Sequence, residues 1–196
     1  MAYKYVAEAT TIFDEEINSL LQTRDSLNSD FDAIVDQIIA CKGKVILSGV
    51  GKSGIIAHKI ASTFSSLGTP AFFLHPTEAL HGDIGVVTED DVVILISRSG
   101  TTEELVCLAD KLMQVRCPII VVTGDPKSEL AMKCKNIIII PVRTEAGYIK
   151  LAPTSSITAV LVLGDALAMT VAHAKKYKTE DFIQHHPGGS IGKTVL

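Results

Sequence analysis

The chain has 196 residues, 47% hydrophobic and only 5% aromatic, which is enough for one sizeable core built mainly from aliphatic side chains. With 18 Lys and Arg against 22 Asp and Glu, the formal charge of -4 excludes a broad basic surface, so neither nucleic acid nor an anionic membrane is expected as the main partner. Cys41, Cys107, Cys117 and Cys134 form no C-x-x-C pair and lie in or beside apolar segments, the pattern of buried thiols in a reducing compartment.

The start Met1-Ala2-Tyr3-Lys4-Tyr5 lacks the basic opening and short apolar core of a secretion signal, and the protein is expected to be cytoplasmic. Across residues 6–27, Phe13, Ile17, Leu20, Leu21 and Leu27 recur at helical spacing. After Asn28-Ser29-Asp30 the pattern resumes with Phe31, Ile34, Val35, Ile38 and Ile39. Two helices therefore precede five short β-prone runs at 44–48, 71–75, 92–97, 119–123 and 136–142. Near-continuous Val and Ile runs alternating with helical segments predict an α/β fold with a five-stranded parallel, doubly wound sheet and ligands beyond the strand C-termini. The apolar stretch 157–174 is interrupted by Asp165 and His173, so it reads as a core or interface helix and not as a membrane span. Without repeats, low-complexity tracts or linkers, one domain is expected: a helical segment 1–42, an α/β core 43–178 and a tail 179–196.

Two loops on the strand rim are candidate anion sites. Ser97-Arg98-Ser99-Gly100-Thr101-Thr102 follows a buried run and opens a helix at Glu103, which aims orphan N–H groups and hydroxyls at one point. The same hexamer also fits a plain helix N-cap, so a second site must decide. Gly49-Val50-Gly51-Lys52-Ser53-Gly54 has the same strand, loop and helix layout. A Walker A loop would need Gly where Ile46 stands, and G-x-G-x-x-G does not fit. What remains is a glycine turn with Lys52 as a mobile cation and Ser53 as a hydroxyl at a helix N-terminus. Two such loops suggest one phosphorylated ligand.

Polar residues near this rim carry candidate chemistry. His75-Pro76-Thr77-Glu78-Ala79-Leu80-His81-Gly82-Asp83 gathers two imidazoles and two carboxylates. H-x5-H matches no compact helical metal pairing; His75 and Asp83 suit structural roles in the turn, and His81 is the favoured imidazole. Glu104 falls in the first turn of a helix, where the dipole favours a carboxylate with or without chemistry. Glu145 follows the last strand, in Arg143-Thr144-Glu145-Ala146-Gly147. His186 lies in His185-His186-Pro187-Gly188-Gly189-Ser190, where Pro187 and the glycines exclude a continuing helix.

In chain order, Gly-x-Gly-Lys-Ser-Gly at Gly49, His-Pro-x-Glu-Ala-x-His-Gly-Asp at His75, Ser-x-Ser-Gly at Ser97, Leu-Ala-Pro-Thr-Ser-Ser at Leu151, Gly-Asp-Ala-Leu-Ala at Gly164 and His-Pro-Gly-Gly at His186 resemble the D-arabinose 5-phosphate isomerases of the sugar isomerase (SIS) domain family. The resemblance runs from Gly43 onward. It implies an enzyme, a phosphosugar aldose–ketose isomerase that interconverts D-ribulose 5-phosphate and D-arabinose 5-phosphate through an enediol(ate), with no metal or other cofactor. It also implies that Lys52, His81, Glu104, Glu145 and His186 are the polar active-site residues, and that Ser53, Ser97, Ser99 and Thr102 hold the phosphate with backbone N–H groups from Arg98 to Thr102. Glu145 or Glu104 would be the base, His186 the ring-opening group, and Lys52 with His81 the electrostatic and orienting pair. The family further implies a homotetramer with sites at subunit contacts, in which helix 154–174 buries surface between subunits and the His186 tail completes a neighbour's site.

Two departures fall near the expected site. Arg98 replaces the uncharged amide residue usual inside Ser-x-Ser-Gly, and Gly147-Tyr148-Ile149-Lys150 stands where Cys-Pro-Leu-Gly is common. The sequence stops at Leu196, while many such isomerases continue into tandem cystathionine β-synthase (CBS) regulatory domains. Alternatives are another SIS phosphosugar isomerase, such as 6-phospho-3-hexuloisomerase, and a non-catalytic sugar-phosphate sensor of the kind attached to DNA-binding helices. Residues 1–40 hold eight acidic residues against Lys4 and Arg24, the wrong charge for a DNA-reading module.

Overall fold

Alternate side chains of each central strand belong to different hydrophobic layers. Val45 and Leu47 of β1 (Val45–Gly49) pack into one layer and Ile46 into the other; Val92, Ile94 and Ile96 of β3 (Val92–Ile96) oppose Val93 and Leu95 in the same way. Both faces must therefore be covered, which is why these strands read as unbroken apolar runs. The computed structural model describes residues 4–187. It orders the sheet β2-β1-β3-β4-β5, all pairs parallel, with β2 at Ala71–Phe73, β4 at Ile119–Thr123 and β5 at Asn136–Ile139. The five expected strands are present; the second and fifth are clearly shorter than their apolar runs, and the first and third differ from theirs only at the ends. His75 and Pro76 turn the chain into a helix after β2, and Pro141 has no N–H to extend the ladder beyond β5.

One layer holds α1 (Lys4–Asp25), α2 (Ser29–Ile39), α3 (Lys52–Ser66) and α7 (Ser155–Ala174); the other holds α4 (Pro76–Leu80), α5 (Glu103–Val115) and α6 (Glu129–Lys133), with a short 3-10 turn at Asp83–Val86. Among the described residues the last helix, α8, is Thr179–Gln184. Asn28 caps α2 by accepting from the Asp30 N–H at 2.8 Å, which explains the break between the two N-terminal helices. Although α7 is long and apolar enough to cross a bilayer, Ala159, Leu163, Leu167, Ala168 and Val171 are buried in the core, and Asp165 pairs with Lys59 of α3. Of the four cysteines only Cys117 is fully buried, and burial pushes its thiol up to about 11. Cys107, expected inside, is exposed, because it lies off the stripe of α5 formed by Leu105, Leu108 and Leu112.

Two buried carboxylates tie the ends of the sheet. Asp91 accepts from the N–H groups of Lys44 (2.7 Å) and Thr88 (2.8 Å), which joins the starts of β1 and β3; Lys44 Nζ lies 3.2 Å away. Glu145, after β5, does the same at the opposite end. Its Oε2 accepts from the Thr154 N–H (2.9 Å) and the Ser156 N–H (3.0 Å), and its Oε1 from the Ser156 hydroxyl. Thr154 is the N-cap residue of α7 and makes no side-chain cap of its own, so the Glu145 carboxylate meets orphan donors at a helix N-terminus, where the dipole also favours it. Burial raises the Glu145 pKa, but the Ser156 hydroxyl, the Ser156 and Thr154 N–H groups and the Arg98 charge together hold it below the usual carboxylate range.

Glu145→Gln is expected to cost about 1–3 kcal/mol near neutral pH, because the neutral amide loses charge-assisted acceptance from a buried set of donors. The folded-state pKa is depressed, so the wild-type advantage is complete above the ordinary carboxylate range and is lost as pH falls through the folded value. Thermal unfolding of both proteins from pH 7 to pH 3 should show the gap closing in acid; a gap independent of pH would contradict the ionised assignment. Packing of α3 on α7 gives a second expectation. A Cβ at Gly164 would come within 2.3 Å of Ile60 Cδ1 and 2.4 Å of its Cγ1. Gly164→Ala is expected to destabilise by about 1–2 kcal/mol because overpacking outweighs the gain in helix propensity, and Ile60→Ala in the same chain should recover part of its loss.

Candidate active site

Loops leave β1 and β3 toward opposite layers, α3 on one face and α5 on the other, so the C-terminal ends of these neighbouring strands open a crevice at the switch point of the sheet. A cavity of about 430 Å³ occupies it, lined by Val50 and Ser53 after β1, Ile96 to Ser99 and Thr102 after β3, Gly124 and Asp125 after β4, and Val142.

Hydrogen bonds within the 97–102 loop set its shape. The Ser97 and Thr102 hydroxyls are 2.8 Å apart, the Gly100 N–H donates to Ser97 Oγ at 3.0 Å, and the Thr101 N–H donates to Ser99 Oγ at 3.3 Å. Gly100 adopts φ +64 with Ser128 Oγ only 2.0 Å from where a Cβ would stand, so glycine is required on both counts. Among the described residues the N–H groups of Arg98, Ser99 and Thr102 have no acceptor within the chain. Orphan donors beside two hydroxyls at the start of a 13-residue helix form an anion site by geometry and dipole together. Thr102 is the N-cap residue of α5 but makes no side-chain cap hydrogen bond, so the hexamer is more than a plain cap.

Ser53, Ser97, Ser99 and Thr102 all line this cavity. Ser97 is nearly inaccessible and holds the loop, whereas Ser99 is exposed to the cavity mouth. Arg98 is the one Lys or Arg among the lining residues, and its Nε lies 3.3 Å from Glu145 Oε1. Four of the remaining site candidates lie outside the cavity lining. Lys52 opens α3 and is exposed, Glu104 is half-buried in the first turn of α5, and His81 is an exposed C-cap of α4; none of the three lines the cavity. His75, expected to be structural, is the N-cap of α4 and sits edge-on to Phe73. His186 lies on the outer side of α3. Its ring stacks on Phe182 at 3.9 Å, Nδ1 is 2.7 Å from the Phe182 carbonyl, and it borders a separate hollow with Ile55, His58 and Lys59. Gly188, Gly189 and Ser190 of the His186 motif lie outside the described residues.

Sequence reasoning missed Gly124 and Asp125, although a Gly-Asp pair directly after the β4 run repeats the layout of the other rim loops. It also missed that the Thr154 and Ser156 positions serve Glu145. Among the described residues no group of three or more His, Cys, Asp or Glu is arranged to hold a metal ion.

The SIS domain model matches residues 38–170. The arabinose 5-phosphate isomerase KdsD of Shigella flexneri is 45% identical over 181 residues, covering 92% of this chain and 55% of the relative. The probable arabinose 5-phosphate isomerase of Haemophilus influenzae is 43% identical, covering 98% of this chain and 57% of that protein. The chain thus spans about half the length of the curated relatives it matches. Among solved structures, c3406 of E. coli CFT073 in complex with arabinose 5-phosphate superposes with a TM-score of 0.92 at 42% identity, covering 95% of this chain and all of that one. Because the matched span runs from α2 into α7, and so takes in all five strands and both rim loops, the chain belongs to the SIS domain family.

Proposed function

We propose that this protein is an aldose–ketose isomerase that interconverts D-ribulose 5-phosphate and D-arabinose 5-phosphate. The observation that carries the reading is the hydroxyl-lined cavity at the switch point, with orphan N–H donors at the start of α5 that fit a phosphate monoester. The substrate comes from the relatives: curated proteins similar over nearly the whole chain are named arabinose 5-phosphate isomerases, and the solved relative of 42% identity is in complex with arabinose 5-phosphate.

The reaction needs a base that takes a proton from C1 of the ketose, an electrostatic partner for the enediolate oxygen, and return of a proton to C2. Glu104 suits the base better than Glu145. Glu145 is buried, held ionised and engaged on both oxygens by groups that anchor α7, whereas Glu104 is half-buried in the first turn of α5, two residues after the cavity-lining Thr102, and has no ion-pair partner among the described residues. Lys52 and His81 supply charge to the enediolate and orient the sugar, and His186 opens the ring. His81 and His186 stand apart from the cavity of their own chain, which supports a site completed by a second copy. Exposed apolar residues on α1 (Phe13, Ile17) and α7 (Val162, Met169), with Tyr148 and Leu151 between β5 and α7, fit burial between subunits of a homotetramer. In this reading the enzyme is cytoplasmic, needs no cofactor and serves carbohydrate metabolism, with lipopolysaccharide precursor synthesis, capsule synthesis and sugar-alcohol metabolism as the candidate routes.

Proton NMR of the protein with ribulose 5-phosphate in deuterated water should show arabinose 5-phosphate carrying deuterium at C2; ribose 5-phosphate or no product would overturn the substrate assignment. Glu104→Gln is expected to lower kcat by at least about a hundredfold with little change in affinity for a phosphate ligand. Native mass spectrometry should give a tetramer, and dilution that dissociates it should abolish turnover. A fully active monomer would exclude the shared site.

A further inference from the structure

The phosphate cavity brings together one cation, Arg98, and one exposed carboxylate, Asp125. A phosphate dianion entering it meets opposing charges, and without Arg98 the remaining side-chain charge would repel it. The backbone of Arg98 is fixed where β3 meets β4, since its carbonyl accepts from the Gly124 N–H at 2.9 Å and from the Thr123 hydroxyl at 3.2 Å. Its side chain is half-exposed and, among the described residues, forms one ion pair, with the buried Glu145, whose Oε1 lies 3.3 Å from Nε. Among the described residues no acceptor engages the two terminal guanidinium nitrogens, which carry four of the five donors of the group.

We infer that Arg98 is the specificity-determining phosphate ligand of this cavity and that Glu145 acts through it, as a positioning residue that clamps Nε and leaves the terminal nitrogens to bind the phosphoryl oxygens. The inference rests on the reading of the crevice as a sugar-phosphate site and adds which side chain reads the charge. The carboxylate is suited to this task because it is itself immobile: the Thr154 and Ser156 N–H groups and the Ser156 hydroxyl hold it at the head of α7. An arginine whose Nε is drawn by an ion pair to an immobile carboxylate has less rotamer freedom left to lose when it binds, and its planar fork matches two phosphate oxygens. A lysine at the same position would keep the charge but lose both the clamp and the fork. The pair also connects the 97–102 loop to the segment after β5, so the floor of the phosphate site and the head of α7 are held in one arrangement.

Isothermal titration of the full chain with inorganic phosphate, alongside steady-state turnover of ribulose 5-phosphate, tests this. Arg98→Gln should weaken phosphate binding about tenfold or more and raise KM more than it lowers kcat, and Arg98→Lys should fall between Gln and wild type. Glu145→Gln should weaken phosphate binding in the wild-type background yet add less than about twofold to Arg98→Gln, the non-additivity of a residue that works through another. Phosphate affinity of Arg98→Gln within about twofold of wild type overturns the assignment of Arg98, and equal effects of Glu145→Gln in both backgrounds overturn its positioning role. Wild-type phosphate binding that depends on Arg98 with no isomerase turnover would overturn the proposed reaction and leave this inference standing.

Discussion

The arrangement of the site follows from one topological constraint, the reversal of strand order at β1. Because β1 pairs with β2 on one side and β3 on the other, the helices that follow β1 and β3 must cover opposite faces of the sheet. Glycine at positions 49 and 54 lets the first turn of α3 come close against the end of β1: a Cβ at Gly54 would lie 2.6 Å from the Gly49 carbonyl oxygen. The crevice is thus a by-product of covering a parallel sheet on both sides, and the hydroxyl loop sits where orphan helix donors face it.

Electrostatics then divide the acidic residues by function. Asp91 and Glu145 are both inaccessible, and both have pKa values held low because donor N–H groups and a cation outweigh the cost of burial. One fastens the entry of the sheet and the other its exit. Glu104, in contrast, stands in the first turn of a helix without such a cage, which leaves it free for proton transfer in the proposed reaction. Burial alone would point to Glu145 as the unusual carboxylate of the site. Its hydrogen bonds make it an anchor for α7, and it is ion-paired with Arg98.

Much of this was legible in the sequence because the responsible signals are local. Apolar runs such as Val92 to Ile96 mark strands buried on both faces, and Asn28 marks a helix start by its side-chain chemistry. The serine and threonine loop announces itself by following such a run and opening a helix. What was not legible depends on which strand ends become neighbours in space. Asp125 enters the cavity only because β4 lies beside β3, and Arg98 meets the sequence-distant Glu145 only because β3, β4 and β5 align their C-terminal ends. Cys107 shows the limit of composition: an apolar neighbourhood in sequence does not say which side of a helix a thiol occupies. The place of His186 on the far side of α3 could not be read from a loop motif either, since stacking on Phe182 decides it.

In the proposed function a phosphorylated sugar is held at the crevice between β1 and β3 by the loop that opens α5. A crystal structure of the protein with D-arabinose 5-phosphate tests it most directly. The phosphoryl group is expected within hydrogen-bond distance of the Ser99 and Thr102 hydroxyls and the Arg98 guanidinium, with the sugar directed toward Glu104. A phosphoryl group bound elsewhere, or one in the crevice with Arg98 turned away from it and no contact to Ser99 or Thr102, would contradict it.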